Sequence, residues 1–421
     1  SSDVCSSDLM VIGQFVGNTG TAGVSIGGEI SDFLTPVATA FATAGQIYIA
    51  QLSGAKRDRE QKEAIGSFLS LNILMSVTFM LITILLRRPI LNMLNCPQEA
   101  YRQAENYMVI TAIGMPFIFG YNAVCGILRG MGESKRPMIF IIVAAIVNIF
   151  LDLLLVAVIP LEAAGTAIAT AASQGASFLA AFLYMYKNRE AFGLEFKPEY
   201  FKLRKEPIVV VLKLGLPQAA RSILVRISML WVNSSVNSYG LVASSTNSIG
   251  NKLQKFLEIF SSSLAQASGA MIGQNLGARK TDRAKQVVHY CLVSCLAFAA
   301  LVSLLVWLFP RTVFGIFTRD PEVLDMGVKY LYIMIIHFFV TAVILAYQSM
   351  VIGAGNAKLN FIIGIMDGIV CKIGLSLILV NVANMGVYGY FWATSLSRII
   401  PAIVCIIYFV RGSWKNKLLV K

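Results

Sequence analysis

IGQNLGARKTDRAK at residues 272–285 repeats, with small changes, an earlier segment, IAQLSGAKRDREQK at residues 49–62. Each segment closes a long apolar run and passes from Gln through Gly-Ala into a cluster of basic residues. The two lie 223 residues apart, and the same offset pairs the Gly-x-Gly-x-x-Lys pattern at 130–135 with that at 353–358. General similarity between apolar helices explains matched Ala and Ile, but not these polar and glycine patterns. We therefore predict two homologous halves.

The composition is that of a membrane protein. Of the 421 residues, 57% are hydrophobic and 14% are charged, whereas about a quarter of a soluble protein is charged. A spanning helix needs roughly 20 apolar residues. Eleven runs of about that length or longer predict an all-α membrane protein, with a twelfth span cut off by the start of the chain. The runs are 22–52, 64–86, 103–128, 137–158, 164–186, 208–238, 241–276, 284–309, 323–352, 359–382 and 386–410.

The formal net charge of +13 is distributed unevenly between the loops. Alternate loops and the C-terminal tail carry 22 Lys or Arg, against 5 in the opposite loops. Because basic loops stay in the cytoplasm, we expect both termini there, in a bacterial inner membrane. Nucleic-acid binding is not needed to explain the charge. The seven cysteines are scattered without a metal-binding spacing and predict neither a metal site nor disulfides.

The halves predict the domain organisation. We interpret residues 1–9 (SSDVCSSDL) as a non-native leader resembling a translated sequencing adaptor, although Asp8 is either native or part of it. We expect a first lobe at 10–190, with six spans and an incomplete helix 1, a cytoplasmic linker at 191–206 and a second six-span lobe at 207–421. An even number of spans in each half predicts parallel repeats related by an axis along the membrane normal.

Several motifs together resemble the multidrug and toxic compound extrusion (MATE) family, and its DinF-like branch in particular. They are MPFIFGYNAVCGILRGMGESKRPM (115–138), NIFLDLLLV (148–156), GTAIAT (165–170), GLPQAARS (215–222) and ASGAMIGQNLGARKTDR (267–283). The resemblance implies twelve helices in two pseudo-symmetric lobes around a central cavity. It also implies a rocker-switch antiporter that exports a substrate against inward Na⁺ or H⁺ flow.

The twin motif ends the second helix of each half, so we interpret it as scaffold, with Gly-Ala allowing a tight helix exit. Polar residues that only one half owns are candidates for function. When the two halves are aligned at the 223-residue offset, Asn148 corresponds to Cys371, Asp152 to Leu375 and Asp8 to Trp231.

Helical spacing groups these polar residues of the first half. Asn148 and Asp152 are four residues apart, as are Thr166 and Thr170, so each pair shares a helix face. Asp152 lies about 9 Å inward from the end of its helix, a depth similar to that of Thr170. A carboxylate at such depth costs about 2.5 kcal/mol or more and indicates function.

The resemblance implies a cation site in the first lobe, with Asp8, Asn148, Asp152 and Thr170 as side-chain ligands and Thr166 lending a carbonyl. The alternative is a hydrogen-bond network that packs the helices. Another branch of the family places a Glu eight residues after the Pro of its GLP-like motif. This chain has Val225 there, so we do not expect that second-lobe site.

The second half is unusually basic within its spans. We take the following residues as candidates for the substrate cavity or a gate: Glu29, Asp32, Asn122, Arg221, Arg226, Lys252, Lys255, Glu258, Asp367 and Lys372. The 223-residue offset places Glu29 and Asp32 opposite Lys252 and Lys255, which suggests an outer gate formed between the lobes. The alternative is that each charge pairs within its own lobe.

We predict a monomeric exporter of drugs or other small organic molecules, coupled to Na⁺ or H⁺ and needing no other cofactor. The basic second half keeps an alternative open, an exporter of anionic or zwitterionic metabolites or a lipid-linked precursor flippase. A non-transporting scaffold gives no reason for Asp152. No Walker loop or GxSxG motif is present, so we do not expect an enzyme. His337 either carries protons or is a hydrogen-bonded packing residue, and the latter is favoured.

Overall fold

The computed structural model describes residues 18–190 and 192–415, together with residues 12, 16 and 419. Within these residues the chain is helical, and no β-strand occurs. The first half contains α1 (Asn18–Gly54), α2 (Asp58–Leu85), α3 (Arg87–Met93), α4 (Gln98–Gly130), α5 (Lys135–Asp152) and α6 (Glu162–Lys187). The second half contains α7 (Lys205–Asn237), α8 (Leu241–Gly277), α9 (Thr281–Leu308), α10 (Pro310–Gly315), α11 (Pro321–Gly353), α12 (Ala357–Ile365), α13 (Gly374–Asn381), α14 (Val387–Leu396) and α15 (Ile399–Arg411).

The helix bounds repeat with the same offset as the sequence motifs. Adding 223 to both ends of α1 gives both ends of α8, and the same shift carries α2 onto α9 and α4 onto α11. Left-handed backbone recurs in the same register, at Lys56 and Arg279 and at Gly132 and Gly355. The internal repeat predicted from the twin motif is therefore a repeat of helix ends and of loop conformation.

Two compact units make up the chain. The first consists of residues up to 53 together with 57–215, and the second of 54–56 with 216–421. The predicted lobe and linker bounds at 190, 206 and 207 stay a prediction.

Ten helices in the described part of the chain are long and apolar enough to cross a membrane. These ten match ten of the eleven predicted runs. The remaining run, 241–276, forms the 37-residue α8, which is not among the ten. Lys252, Lys255 and Glu258 interrupt its apolar stretch, and charged residues of this kind lower a helix's mean hydropathy.

The exit from each twin motif differs from the expected glycine turn. The helices end at Gly54 and Gly277, but the residues with positive φ are Lys56 (55°) and Arg279 (56°). The Arg57 amide donates to Leu52 O at 3.1 Å, and the Lys280 amide makes the equivalent bond to Asn275 O at 2.8 Å. This six-residue closure is the Schellman geometry. In this geometry the left-handed residue after the helix is usually glycine, but here it is Lys56 or Arg279. The Gly-Ala pair instead forms the end of each helix.

The segment predicted to be a linker packs on α2 within the first unit. It carries a short 3₁₀ turn, Pro198–Phe201. Two serine hydroxyls of α2 hold its backbone, with Ser67 Oγ donating to Lys202 O at 2.8 Å and Ser70 Oγ donating to Phe201 O at 2.7 Å. Glu195 accepts from both Lys62 and Lys197 at 2.7 Å. The segment is therefore fixed by several independent contacts.

Two helices change to π geometry beside charged residues. Leu153–Val158 continues α5 directly after Asp152, and Met366–Ile373 joins α12 to α13 and contains Asp367 and Lys372. The two π segments are not related by the 223-residue offset. Because π turns inside α-helices concentrate at functional sites, each unit has one such position to consider.

Candidate functional site

The first unit buries the central predicted carboxylate. Asp152 is 0% exposed and Asn148, one turn earlier on the same face of α5, is 1% exposed. The helix continues past Asp152 as the π segment. An acidic side chain so completely enclosed is the feature expected of a site that binds a cation or a proton.

Thr166 lies on α6, which packs beside the helix that carries Asp152. It is fully buried, and its hydroxyl donates to Ala163 O at 2.9 Å. Val156, one turn beyond Asp152, packs in one apolar cluster with Ala163 and Ala167, which flank Thr166. This cluster therefore joins the two helix segments that carry Asp152 and Thr166.

The remaining first-unit residues lie at other depths of burial. Thr170 is half-buried one turn after Thr166, while Glu29 is exposed and Asp32 is half-buried on α1. Asn122 donates its amide to Ile118 O at 2.8 Å within α4. Asp8 lies outside the described residues. The ligand set predicted for the cation site, and the gate pairing of Glu29 and Asp32, stay predictions.

The second unit contains a buried polar network centred on Glu258. Its Oε1 atom accepts hydrogen bonds from Arg398 Nη1 at 2.8 Å and from Gln254 Nε2 at 3.0 Å. His337 Nε2 lies 2.6 Å from the same oxygen. This distance places the imidazole proton on Nε2, because a carboxylate oxygen can only accept. Three donors, from α8, from α11 and from the turn before α15, therefore converge on one carboxylate oxygen.

Arg398 extends the network to a second carboxylate. Its Nη1 atom also donates to Thr341 Oγ1 at 2.8 Å, and its Nε atom lies 3.6 Å from Asp367 Oδ2. Ser397 Oγ donates to Asp367 Oδ1 at 3.2 Å. Glu258 and Asp367 thus pair inside their own unit. His337 is hydrogen-bonded, as favoured from sequence, but it belongs to a charged network rather than to an apolar core.

A cavity of about 210 Å³ opens beside this network. Glu258 and Arg398 form one part of its wall, and Lys255 and Lys372 form another. Val225, at the position where the other branch of the family has a Glu, lines it as well. The remaining wall is Met229, Val232, Asn233, Asn247, Asn251, Gln254, Tyr330, Phe391 and Thr394.

The other basic candidates of the second unit lie away from this cavity wall. Arg221 is half-buried on α7, and its aliphatic stem packs against Gly364, where a Cβ would lie 2.2 Å from Arg221 Cγ. Arg226 is half-buried, and Lys252 is exposed. Of the predicted cavity residues, the structure therefore brings together Lys255, Glu258 and Lys372 around one space, with Asp367 held behind them by Arg398 and Ser397.

Comparison of the two halves of the sequence did not predict that these second-half residues form one network, although two features of the sequence pointed to it. Asn247, Asn251, Gln254 and Glu258 follow one another at spacings of four, three and four, which places them on one face of α8. The 223-residue offset is the other signal, since the first half lacks every charged member. Glu258, Asp367, Arg398, His337 and Lys372 correspond there to Thr35, Ala144, Gly175, Gly114 and Ile149. Each half therefore has polar residues whose counterparts in the other half are apolar or uncharged.

Comparison with known proteins agrees with this architecture. The chain is 26% identical over 416 residues to the probable multidrug resistance protein YoeA of Bacillus subtilis, covering 97% of this chain and 89% of that protein. It is 24% identical over 374 residues to the multidrug export protein MepA of Staphylococcus saprophyticus, covering 88% and 81%.

Solved structures share the fold at low sequence identity. A crystal structure of MATE in the bent conformation superposes with a TM-score of 0.92 at 19% identity, covering 99% of this chain and 93% of the other. A MOP superfamily transporter from Pyrococcus furiosus, whose reverse polarity of the binding pocket suggests a different function, gives a TM-score of 0.91 at 19% identity, with the same coverage of 99% and 93%.

The MatE family model matches residues 6–154 and 217–378, which together form more than half of the chain. This match includes Asp152 and Asn148 in the first half and Glu258, Asp367 and Lys372 in the second. Members of the family are transporters and not enzymes, and the helical architecture described above is that of MATE transporters. From its sequence match and its fold, the chain belongs to the MatE family.

Proposed function

We propose that the protein exports drugs or other small organic molecules across a bacterial cytoplasmic membrane. Support comes from the family match and from relatives that are named for multidrug resistance or multidrug export. The ten apolar helices supply a membrane-embedded body. In this proposal both termini lie in the cytoplasm, on the side of the basic loops.

Export is coupled to the inward movement of Na⁺ or H⁺ at the first-unit site. The observation that carries this proposal is the complete burial of Asp152 beside the equally buried Asn148. An ionised carboxylate in a membrane span costs about 2.5–3.5 kcal/mol on insertion scales, and cation or proton binding removes that cost. Oxygen ligands suit Na⁺, and Asp8, Thr166 and Thr170 complete the proposed set.

Alternating access links this site to export. The cation and the substrate each bind one state of the transporter more tightly than the other, so each shifts the population of states. A cation entering from outside neutralises Asp152 and favours the state that releases the cation inside. Substrate binding from the cytoplasm then favours return to the outward state. Only this difference in affinity between states is needed for coupling.

A second candidate is export of anionic or zwitterionic compounds, including lipid-linked precursors. Lys255 and Lys372 at the second-unit cavity favour it, because basic side chains repel a cationic drug. The fold does not decide between the two, since folds host different functions. The Pyrococcus furiosus transporter with this fold illustrates the point.

Ethidium efflux from proteoliposomes, under separate Na⁺ and H⁺ gradients, tests the coupling proposal. We expect efflux with one of the two gradients, loss of gradient-driven efflux in Asp152→Asn, and normal efflux in the control Asp325→Asn. Asp325 is exposed and pairs with Arg311 at 2.6 Å, outside the proposed site. Gradient-driven efflux that persists in Asp152→Asn would overturn coupling at Asp152. Absence of efflux in folded wild type would instead favour the anionic candidate.

A further inference from the structure

The second-unit cavity has the size and the wall of a site for a small organic molecule. Its volume of about 210 Å³ equals the liquid volume of about seven water molecules. Five helical segments contribute to its wall, namely α7, α8, α11, the π segment and α14. A space enclosed by several helices and lined by both apolar and polar side chains is typical of ligand pockets.

The charges at the cavity wall do not balance. Three basic side chains, Lys255, Lys372 and Arg398, line it together with one carboxylate, Glu258. Arg398 and Glu258 bind each other at 2.8 Å and so neutralise each other. Asp367 contacts Arg398 and Ser397 behind the wall. With Asp367 counted, two carboxylates stand against the three positive charges of Lys255, Lys372 and Arg398, so the network keeps a surplus of one positive charge.

Lys372 is the more informative of these two lysines. It is only 4% exposed, and no hydrogen bond or ion pair within 4 Å joins its ammonium group to a described residue, although the charges of Asp367 and Glu258 act on it from farther away. A buried charge that remains unpaired is strongly destabilising. An ammonium group has three donors and no acceptor. A buried lysine that lines a cavity, with no hydrogen bond and no carboxylate in contact with its ammonium group, has its three donors open to a ligand with a negative charge.

Neutral groups of the wall would hold the rest of such a ligand. The amides of Asn247 and Asn251 donate to Asn233 Oδ1 at 2.8 and 3.0 Å, which orients the Asn233 amide nitrogen as a further donor. Val232 and Phe391 supply apolar surface. The wall therefore offers donors for an anionic head and an apolar surface for a small organic body.

We propose that the second unit binds a small organic anion, with its carboxylate or phosphate group held by Lys372 and assisted by Lys255. The proposal rests on the second candidate of the proposed function, export of anionic compounds, and assigns the place in the chain where such an anion binds. Binding at this site can be measured without transport, so its failure is distinguishable from failure of the export proposal.

The test measures the melting temperature of the detergent-purified full chain with benzoate, phenyl phosphate, or benzylamine as the cationic counterpart, at constant ionic strength set with chloride. We expect either anion, but not benzylamine, to raise the melting temperature. Lys372→Met should weaken the apparent Kd at least tenfold, and Lys255→Gln several-fold. The matched control Lys358→Met, an exposed lysine on α12 outside the cavity wall, should bind as wild type does.

Each variant is compared with its own ligand-free melting temperature, so a change of stability does not imitate a change of binding. A shift with benzylamine alone, no shift with either anion, or full anion binding by Lys372→Met would each overturn the proposal. A shift only with dihexanoyl-phosphatidylglycerol would assign the site to a lipid headgroup and overturn the small-molecule assignment. Anion binding together with absent export would leave this site standing and would reject the transport proposal instead.

Discussion

His337 Nε2 lies 2.6 Å from Glu258 Oε1, the oxygen atom that also accepts from Arg398 Nη1 at 2.8 Å. The two residues come from α11 and α8, and Arg398 directly precedes α15. One carboxylate thus joins three helices in the interior of the second unit. A neutral amide in place of that carboxylate keeps an oxygen acceptor but removes the negative charge beside Arg398, and the following prediction depends on this arrangement.

Glu258→Gln should lower the free energy of unfolding by about 3 kcal/mol, because it removes the nearer of the two carboxylates that compensate the buried charge of Arg398. Thermal unfolding in detergent measures the change. The control is Asp325→Asn, which breaks an exposed pair with Arg311 and should cost about 0–1 kcal/mol. Arg398→Met, which leaves both Glu258 and the buried Asp367 without their shared cation, should cost at least as much. Equal melting temperatures for Glu258→Gln and Asp325→Asn would contradict the network.

A chain of buried amides in the second unit is expected to be similarly sensitive. Gln348 Nε2 donates to Asn360 Oδ1 at 2.8 Å, and Asn360 Nδ2 donates to Gln218 Oε1. Asn360→Ala leaves both partners without a bond, at about 1–3 kcal/mol for each unsatisfied buried group. Asn275→Ala removes an exposed amide that bonds only within its own helix and should change stability by about 0.5 kcal/mol or less. Similar melting temperatures for the two variants would be evidence against the amide chain.

The loop conformations that recur in both halves predict the effect of glycine substitutions. Gly132 and Gly355 have φ of 96° and 70°, values that cost a residue with a Cβ about 1–2 kcal/mol. Gly132→Ala and Gly355→Ala should therefore lower the melting temperature. Gly175→Ala provides the opposite control, since Gly175 is helical and a Cβ there would meet Phe117 at an ordinary 3.7 Å. It should be neutral or stabilising by about 0.5–1 kcal/mol. A stabilising Gly355→Ala would contradict the left-handed geometry.

The contact of residues 192–204 with α2 should depend on pH through Glu195. Hydrogen bonds from Lys197 and Lys62 lower the pKa of Glu195 from 4.5 to about 2. A lowered pKa means that the contact is complete above pH 4.5 and is lost as the pH falls toward 2. Hydrogen exchange of the segment, corrected for the intrinsic pH effect, should therefore rise over that range.

Glu195→Gln should raise exchange of the same segment at neutral pH and abolish its change between pH 4.5 and 2. Glu199→Gln, an exposed neighbour, should retain the wild-type profile. A pH profile unchanged in Glu195→Gln would show that groups other than Glu195 determine it.

Periodicity and the twin motif were sufficient to predict the helices. Ten of the eleven predicted runs match apolar helices, and the helix ends repeat at the predicted offset. The exception, α8, shows where hydropathy and function conflict, because its Lys255 and Glu258 line a cavity. The exit of the twin motif was only partly predicted. Glycine marks a position where the left-handed backbone conformation has little steric cost. In both turns, however, the hydrogen bonds place the left-handed residue at Lys56 and Arg279 instead.

The sequence by itself determined the membrane class, the repeat, and the one-sided polar residues that mark Asp152 and the second half as unusual. These properties are local or periodic, so they are present in the order of residues. Only the tertiary structure decided that Glu258, His337 and Arg398 meet, although α8, α11 and α15 are far apart in the chain. The tertiary structure alone also decided that Lys372 lines a cavity while Asp367 pairs with Arg398. Packing of distant helices determines which buried charges find partners, and no sequence spacing records that packing.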